Sequence, residues 1–195
     1  MRLPRLAGAT AMLISLFVAG ALAQTSAPPT TEPKKPDVPY VPTHERIVDR
    51  MLTMANVKRE DVLYDLGSGD GRIVITAAQK YGTRGVGIDI DPERVREANE
   101  NAQRAGVTDR VRFILGDIFD ADIRPATVVT MYLLPEVNLR LLPKLRAELK
   151  PGTRIVSHNY DLGDWRPHRT AKLTVNATEH HVYFWIMPPG AARQP

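Results

Sequence analysis

The chain is 195 residues long, has no cysteine, and carries 26 basic against 22 acidic side chains, a net charge of +4. Its length covers one α/β unit plus an extension, and the missing cysteine excludes disulfides, thiolate nucleophiles, Cys-based zinc sites and lipidated thiols. With residues 1–23 set aside, 24 basic and 22 acidic residues remain; without a basic cluster that excess is too small for nucleic-acid binding, and no nucleic-acid partner is expected.

The first segment reads as a secretory signal. Arg2 and Arg5 give it a positive start, Leu6 to Gly20 an uncharged apolar core, and Ala21-Leu22-Ala23 an A-x-A cleavage site. The alternative is an uncleaved anchor, since the uncharged run Leu6 to Ala23 is 18 residues, the short end for a spanning helix. Membrane association would then run through residues 6–23. Either way the arginines stay inside and the rest of the chain is exported, to the periplasm. Residues 24–37, with four prolines among Ser, Thr, Ala and Lys, read as an extended linker, and residues 38–190 as the folded domain. A first helix is expected from His44 to Ala55, with Thr43 as N-cap and Ile47, Val48, Met51 and Leu52 as its apolar stripe. Tyr40 and Thr43 either pack and cap locally or form a flap over a ligand.

Val62 to Leu66 read as a short, buried parallel strand that ends on Asp65-Leu66. Gly67, Gly69 and Gly71, with Ser68 between, permit positive φ and close approach to a ligand. The helix from Arg72 then presents its free N–H groups to whatever sits over the loop. A dinucleotide fingerprint, G-x-G-x-x-G/A, needs a small residue at position 72, where Arg72 stands. A second strand, Arg84 to Ile90, ends in Asp89, 18 residues past Gly71, where an acid can accept from two ribose hydroxyls. Asp91-Pro92-Glu93 opens a helix that closes at Gly106. A third strand, Val111 to Leu115, runs into Gly116-Asp117. Asp65, Asp89 and Asp117 thus close three successive strands; singly, each could be a cap or a turn residue. Asp70, Asp91 and Asp109 read as loop or capping residues.

Further strands are expected at Thr127–Tyr132 and Thr153–Asn159, flanking a helix from Glu136 to Leu149 that Pro151-Gly152 breaks. Lys172–Ala177 and His181–Met187 follow as two strands with a tight connection. Asp161 to Thr170 is too short and too rich in Gly, Trp and Pro for a full helix. His180 and His181 are neighbours on a strand and face opposite sides, so they do not chelate a metal together, and no metal site is expected.

Asp65-Leu66-Gly67-Ser68-Gly69-Asp70-Gly71 is similar to the first motif of class I S-adenosylmethionine (SAM) methyltransferases. Tyr40-Val41-Pro42-Thr43, Tyr64 to Arg72, Tyr132-Leu133-Leu134-Pro135 and Lys150-Pro151-Gly152-Thr153-Arg154 resemble the small protein-lysine N-methyltransferases, whose eukaryotic members modify the ATP synthase c-subunit and the adenine nucleotide translocase. The resemblance spans about residues 38–187. It implies an α/β, Rossmann-like sheet of seven strands, mostly parallel with an antiparallel last strand, and here with one helix missing. It also implies SAM as cofactor, with Gly116-Asp117 at the adenine. The cofactor residues are then Tyr40, Thr43, Asp65, Gly67, Ser68, Gly69, Gly71, Asp89, Ile90, Asp117 and Ile118, and the acceptor is a protein lysine or a small molecule.

Methyl transfer asks mainly for positioning and water exclusion, and proximity alone supplies ~7–11 kcal/mol. A lysine acceptor must be neutral, which desolvation favours by lowering its pKa. Tyr132 and Pro135, after the fourth strand, are the candidate acceptor-site residues, although Tyr132 could equally close the core. His158, ending the fifth strand, is either a base for the acceptor or a polar strand-end residue. Two other classes fit parts of the pattern. One is a non-catalytic module for SAM, its demethylated product or another nucleoside; the other is a nicotinamide oxidoreductase, which Arg72 disfavours.

Overall fold

The computed structural model describes residues 40–190. The expected signal (1–23), the linker (24–37) and residues 38–39 lie outside the described residues. Among those described, no helix is long and apolar enough to cross a membrane.

Eleven elements follow one another as α1 (Glu45–Met54), β1 (Val62–Leu66), α2 (Arg72–Tyr81), β2 (Arg84–Asp89), α3 (Pro92–Ala105), β3 (Val111–Leu115), β4 (Val128–Met131), α4 (Pro135–Glu148), β5 (Arg154–His158), β6 (Arg169–Val175) and β7 (Thr178–Ile186). Local chemistry sets most of their ends. Asp91 caps α3 by accepting from Glu93 N at 2.8 Å, Pro92 fills the first helical position, and Gly106 closes the helix at φ +68°. Asn176 and Ala177 both take positive φ between β6 and β7, the two-residue turn that matches strand twist. One expected cap is wrong. His44, not Thr43, caps α1, its Nδ1 accepting from Arg46 N at 3.2 Å, because the Thr43 hydroxyl is bonded across the molecule to His158.

The seven strands form one sheet in the order β3-β2-β1-β4-β5-β7-β6. β1 to β5 pair in parallel, and β7 runs antiparallel to both β5 and β6. Alternate residues of each strand face opposite layers. Leu63 of β1 packs with Ile47, Met51, Val74 and Ala78 of α1 and α2, whereas Tyr64 and Leu66 pack with Leu141 and Leu145 of α4 and with Trp185. Each large apolar side chain sealed in these layers contributes about 1.5–3 kcal/mol before chain entropy is counted. No helix forms between β5 and β6. That stretch instead packs Leu162 and Trp165 onto the α4 layer, with Trp185 Nε1 donating to the Trp165 carbonyl at 2.6 Å. It covers the sheet where the missing helix would lie.

Chain order reverses direction at β1, whose neighbours are β2 and β4. In open α/β sheets the carboxyl edge at such a switch point leaves a crevice, because the two connections depart to opposite faces. The loops after β1, β2, β3 and β4 meet there.

Candidate cofactor and acceptor site

The crevice is a cleft of about 950 Å³, counted out to its open mouth. Tyr40 to Thr43, Asp65, Gly67 to Asp70, Arg72, Asp89 to Asp91, Arg94, Asp117, Ile118, Tyr132, Leu133 and Val137 line it. The expected cofactor residues therefore come together on one wall, with the exception of Gly71. That glycine takes φ +80° behind the loop, where a Cβ would stand 2.5 Å from the Phe113 ring. All three loop glycines take positive φ, as expected, and at Gly69 a second constraint is added. A Cβ there would lie 2.3 Å from Tyr40, so the close approach is made by the protein's own ring.

Asp89 is held by the backbone on both oxygens. Oδ2 accepts from Gly69 N at 2.7 Å and Oδ1 from Asp91 N at 3.0 Å, which fixes the carboxylate at the cleft and ties it to the glycine loop. Gly67 N and Ser68 N both donate to the Ile88 carbonyl, at 2.9 and 3.0 Å. Asp65 is sealed in, with Thr130 Oγ1 donating to it at 2.7 Å. Burial pushes its pKa up to about 7; the Thr130 bond opposes this, and the nearby Asp89 and Asp70 add to it. Asp117 Oδ1 accepts from Phe119 N at 2.9 Å, shaping the turn after β3.

Residues 40–43 form a strap across the loop. Arg72 donates Nη1 to the Thr43 carbonyl at 3.0 Å, and its Nη2 pairs with Asp70 at 2.6 Å. The Arg94 guanidinium lies 4.9 Å from the centre of the Tyr40 ring, a cation–π contact. Burial alone would raise Asp70, but its hydrogen bonds and charge contact with Arg72 win, and its pKa falls below the usual carboxylate range. Asp70, Arg72 and Arg94 are not among the expected site residues. Only Arg72 gives a signal in the sequence, as the residue that breaks the dinucleotide pattern.

The far end of the cleft is built from distant segments. Tyr132 lines it, with its ring centre 3.9 Å from that of His158 and 6.3 Å from that of Tyr160. His158 is only 1% exposed and lies behind Tyr132, outside the cleft lining. Its ring nitrogens meet Thr43 Oγ1 at 3.3 Å and His180 Nδ1 at 3.0 Å. Burial, then the neighbouring His180, lowers its pKa to about 4, so the ring is neutral near pH 7. Two of the expected acceptor-site residues lie outside the cleft lining. Pro135 is outside the cleft lining and starts α4, because the chain turns away from the sheet edge at Leu134. His158 is buried at the end of β5 with its ring against that of Tyr132, the polar strand-end placement that the sequence also allows. His180 has no counterpart among the expected site residues, since nothing in the local sequence joins positions 22 residues apart.

A SAM molecule fits these residues. The cleft presents a backbone-held carboxylate for hydroxyls, and carboxylates Asp65 and Asp70 for the cationic end of the cofactor. Ser68 lines the cleft too, but its Oγ is sealed against Gly87 of β2, without a hydrogen-bond partner among the described residues. Apolar Ile90 and Ile118 offer surface for a flat base. Among the described residues no group of three His, Asp or Glu could hold a metal.

Sheet order, crevice and acid-tipped loops define a class I SAM-dependent methyltransferase. The chain belongs to the family of the ANTKMT methyltransferase domain, whose family model matches residues 65–169. It is 49% identical to a protein-lysine N-methyltransferase of Saccharolobus islandicus, a match covering 78% of this chain and 95% of that protein. It is 36% identical to the mouse adenine nucleotide translocase lysine N-methyltransferase, over 69% of this chain but only 58% of the longer mouse enzyme. The crystal structure of an RNA methyltransferase from Salinibacter ruber, in complex with S-adenosyl-L-homocysteine, superposes with a TM-score of 0.74 at 56% identity. That likeness covers 76% of this chain and 95% of the other. The enzyme uses SAM as its cofactor.

Proposed function

We propose that the enzyme N-methylates protein lysine side chains. The observation that carries the reading is the charge of the cleft. Five carboxylates, Asp65, Asp70, Asp89, Asp91 and Asp117, line it against two guanidiniums. Arg72 and Asp70 neutralise each other and Arg94 is paired with Glu97 and Glu93, so the acidic excess is carried by Asp89, Asp91 and Asp117, with Asp65 partly protonated near pH 7. Such a cleft attracts a cationic side chain and repels a phosphate backbone. Similarity to the protein-lysine N-methyltransferase of Saccharolobus islandicus, over nearly the whole length of that protein, supports the same reading.

When bound, SAM supplies a methyl group on a positively charged sulfur, which the acceptor lone pair displaces in line. The chain's part is positional. Asp89 and the glycine loop seat the nucleoside, and the strap at Tyr40 to Thr43 excludes water over the reacting end. Tyr132 gives the acceptor's aliphatic stem an aromatic wall while its amine reaches inward. Partial desolvation there lowers the amine pKa from about 10.4 and favours the neutral nucleophile.

The test is transfer from methyl-labelled SAM to envelope proteins extracted from a strain lacking this gene, followed by hydrolysis and identification of methyl-lysine. An RNA acceptor is the second reading, motivated by the similarity to the Salinibacter ruber RNA methyltransferase. Label that ribonuclease removes and protease spares would establish it in place of the first; label in small metabolites would point to a small-molecule acceptor. We also infer that residues 1–23 export the domain, on the charge and apolar pattern of that segment. A reporter fused after Pro195 should report from outside the cytoplasm, and a cytoplasmic signal would overturn the export reading.

A further inference from the structure

Deprotonating a lysine inside a water-poor cleft leaves a proton to dispose of. On the lysine reading the acceptor enters beside Tyr132 and Thr43, both of which line the cleft. One chain of side chains reaches from that end of the cleft toward the surface. Thr43, a cleft-lining residue, meets His158 Nδ1 through its hydroxyl at 3.3 Å, and His158 Nε2 meets His180 Nδ1 at 3.0 Å. His180 is partly exposed on β7, whereas His158 is 1% exposed.

The geometry of this contact is actively maintained. Asn159, next to His158, takes φ +63°, a left-handed conformation that costs an L-residue energy. It is held there by donating its N–H to the His181 carbonyl at 2.8 Å and by accepting from His181 N on Oδ1 at 3.0 Å. These bonds lock the end of β5 against β7 at the register that brings the two imidazoles together. The groups facing His158 are Thr43 from before α1, Tyr132 from after β4, and His180 from β7. Asn159 Nδ2 also meets His180 Nδ1, at 3.5 Å, and Arg72 is bonded to the Thr43 carbonyl rather than to the ring.

We propose that Thr43, His158 and His180 form a proton outlet for the acceptor lysine. The proposal rests on the lysine reading and deepens it. An N···N contact requires one donor and one acceptor, so the chain has two directions of donation that differ by one shifted proton per link. In the starting direction, Thr43 donates to His158 Nδ1, and His158 Nε2–H donates to His180 Nδ1. The ammonium N–H bond then breaks as an O–H bond forms on Thr43. The original Thr43 proton passes to His158 Nδ1, the His158 Nε2 proton passes to His180 Nδ1, and the His180 Nε2 proton goes to water. One proton leaves the cleft, the amine keeps its lone pair, and no redox partner is needed. His158 works as a neutral ring throughout, which its burial favours. Between turnovers, with the cleft open to water, the reverse shift resets the chain: His180 Nε2 takes a proton from solvent, His180 Nδ1–H passes one to His158 Nε2, His158 Nδ1–H passes one to Thr43, and Thr43 releases one to water in the open cleft. His158 and His180 are positioning and relay residues; Thr43 is the member that touches the acceptor.

The experiment compares wild type with His180→Ala and His180→Gly on the same envelope-protein extract, reading methyl-lysine formed. At pH 7 His180→Ala should lower kcat about tenfold with an unchanged KM for SAM. The deficit should shrink as pH rises toward 9.5, where free lysine amine becomes abundant and no relay is needed. Imidazole in the buffer should restore His180→Gly in proportion to its concentration, which a purely structural role would not allow. Independently of turnover, 15N-histidine NMR of the wild type should show a scalar coupling between His158 Nε2 and His180 Nδ1. A wild type that labels no lysine would overturn both the lysine reading and the outlet. An active wild type with a pH-independent deficit, no deficit, or no imidazole rescue would overturn the outlet alone, as would an absent coupling.

Discussion

The two ends of the cleft are built by different rules. At the cofactor end, the chain makes its site from short-range pieces: a strand, a glycine turn and an acid, with Asp89 gripping Gly69 N and Asp91 N. At the other end, beside Tyr132, the residues Thr43, Tyr132, His158 and His180 come from four separate segments and touch only because the sheet closes in the observed order. The first end is rigid by local geometry; the second depends on strand register between β5 and β7. A shared cofactor can thus be held by a repeated local device, while acceptor choice rests on contacts that local sequence does not constrain.

Several perturbations break or sharpen that contrast. The largest effect is expected at Asp65. Its folded pKa, about 7, lies above the ordinary value of 3.8, so the folded state binds the extra proton. Its contribution to apo-enzyme stability should therefore be full below pH 4 and be lost as pH rises to 7, a change on the order of 4 kcal/mol. Asp65→Asn should flatten that slope in urea titrations at several pH values. Tyr132→Ala comes next. It should lower kcat on protein acceptor roughly 30-fold through lost positioning, while steady-state and binding assays show SAM affinity within about twofold of wild type. Arg72→Ala releases the strap from the glycine loop and should weaken SAM binding about tenfold, about 1.4 kcal/mol, by fluorescence titration. Asp91→Ala is smallest. It removes a helix cap worth about 1 kcal/mol in thermal melts, but keeps the backbone N–H that holds Asp89 and should leave SAM affinity unchanged.

The same division explains what the sequence can tell. Strand ends, helix caps and the Gly67 to Gly71 loop carry their signals within a few residues, so β1, α2, β2 and α3 are legible nearly to the residue. Asp161 to Thr170 is legible as lacking a full helix, since it is short and holds Gly163 and Pro167, though β6 already begins at its Arg169. What the sequence does not show involves distant partners. Thr43 has the chemistry of a cap, but its true partner is 115 positions away. Pro135 follows directly on cleft residues in sequence, yet the turn at Leu134 is set by packing of α4 on the sheet. His158 reads equally as a base or a polar strand-end residue, and nothing nearby in the sequence shows that its ring lies against Tyr132.

Calorimetric titration of SAM into wild type and Asp89→Ala, with Asp91→Ala alongside, tests the central claim that cofactor recognition rests on the acid-tipped local device. Removing the Asp89 carboxylate deletes a charged acceptor for cofactor hydroxyls and frees Gly69 N and Asp91 N from their anchor. Affinity should fall at least about tenfold in Asp89→Ala, equivalent to ~1.4 kcal/mol, and stay near wild type in Asp91→Ala. Equal SAM affinity in Asp89→Ala and wild type would contradict the account.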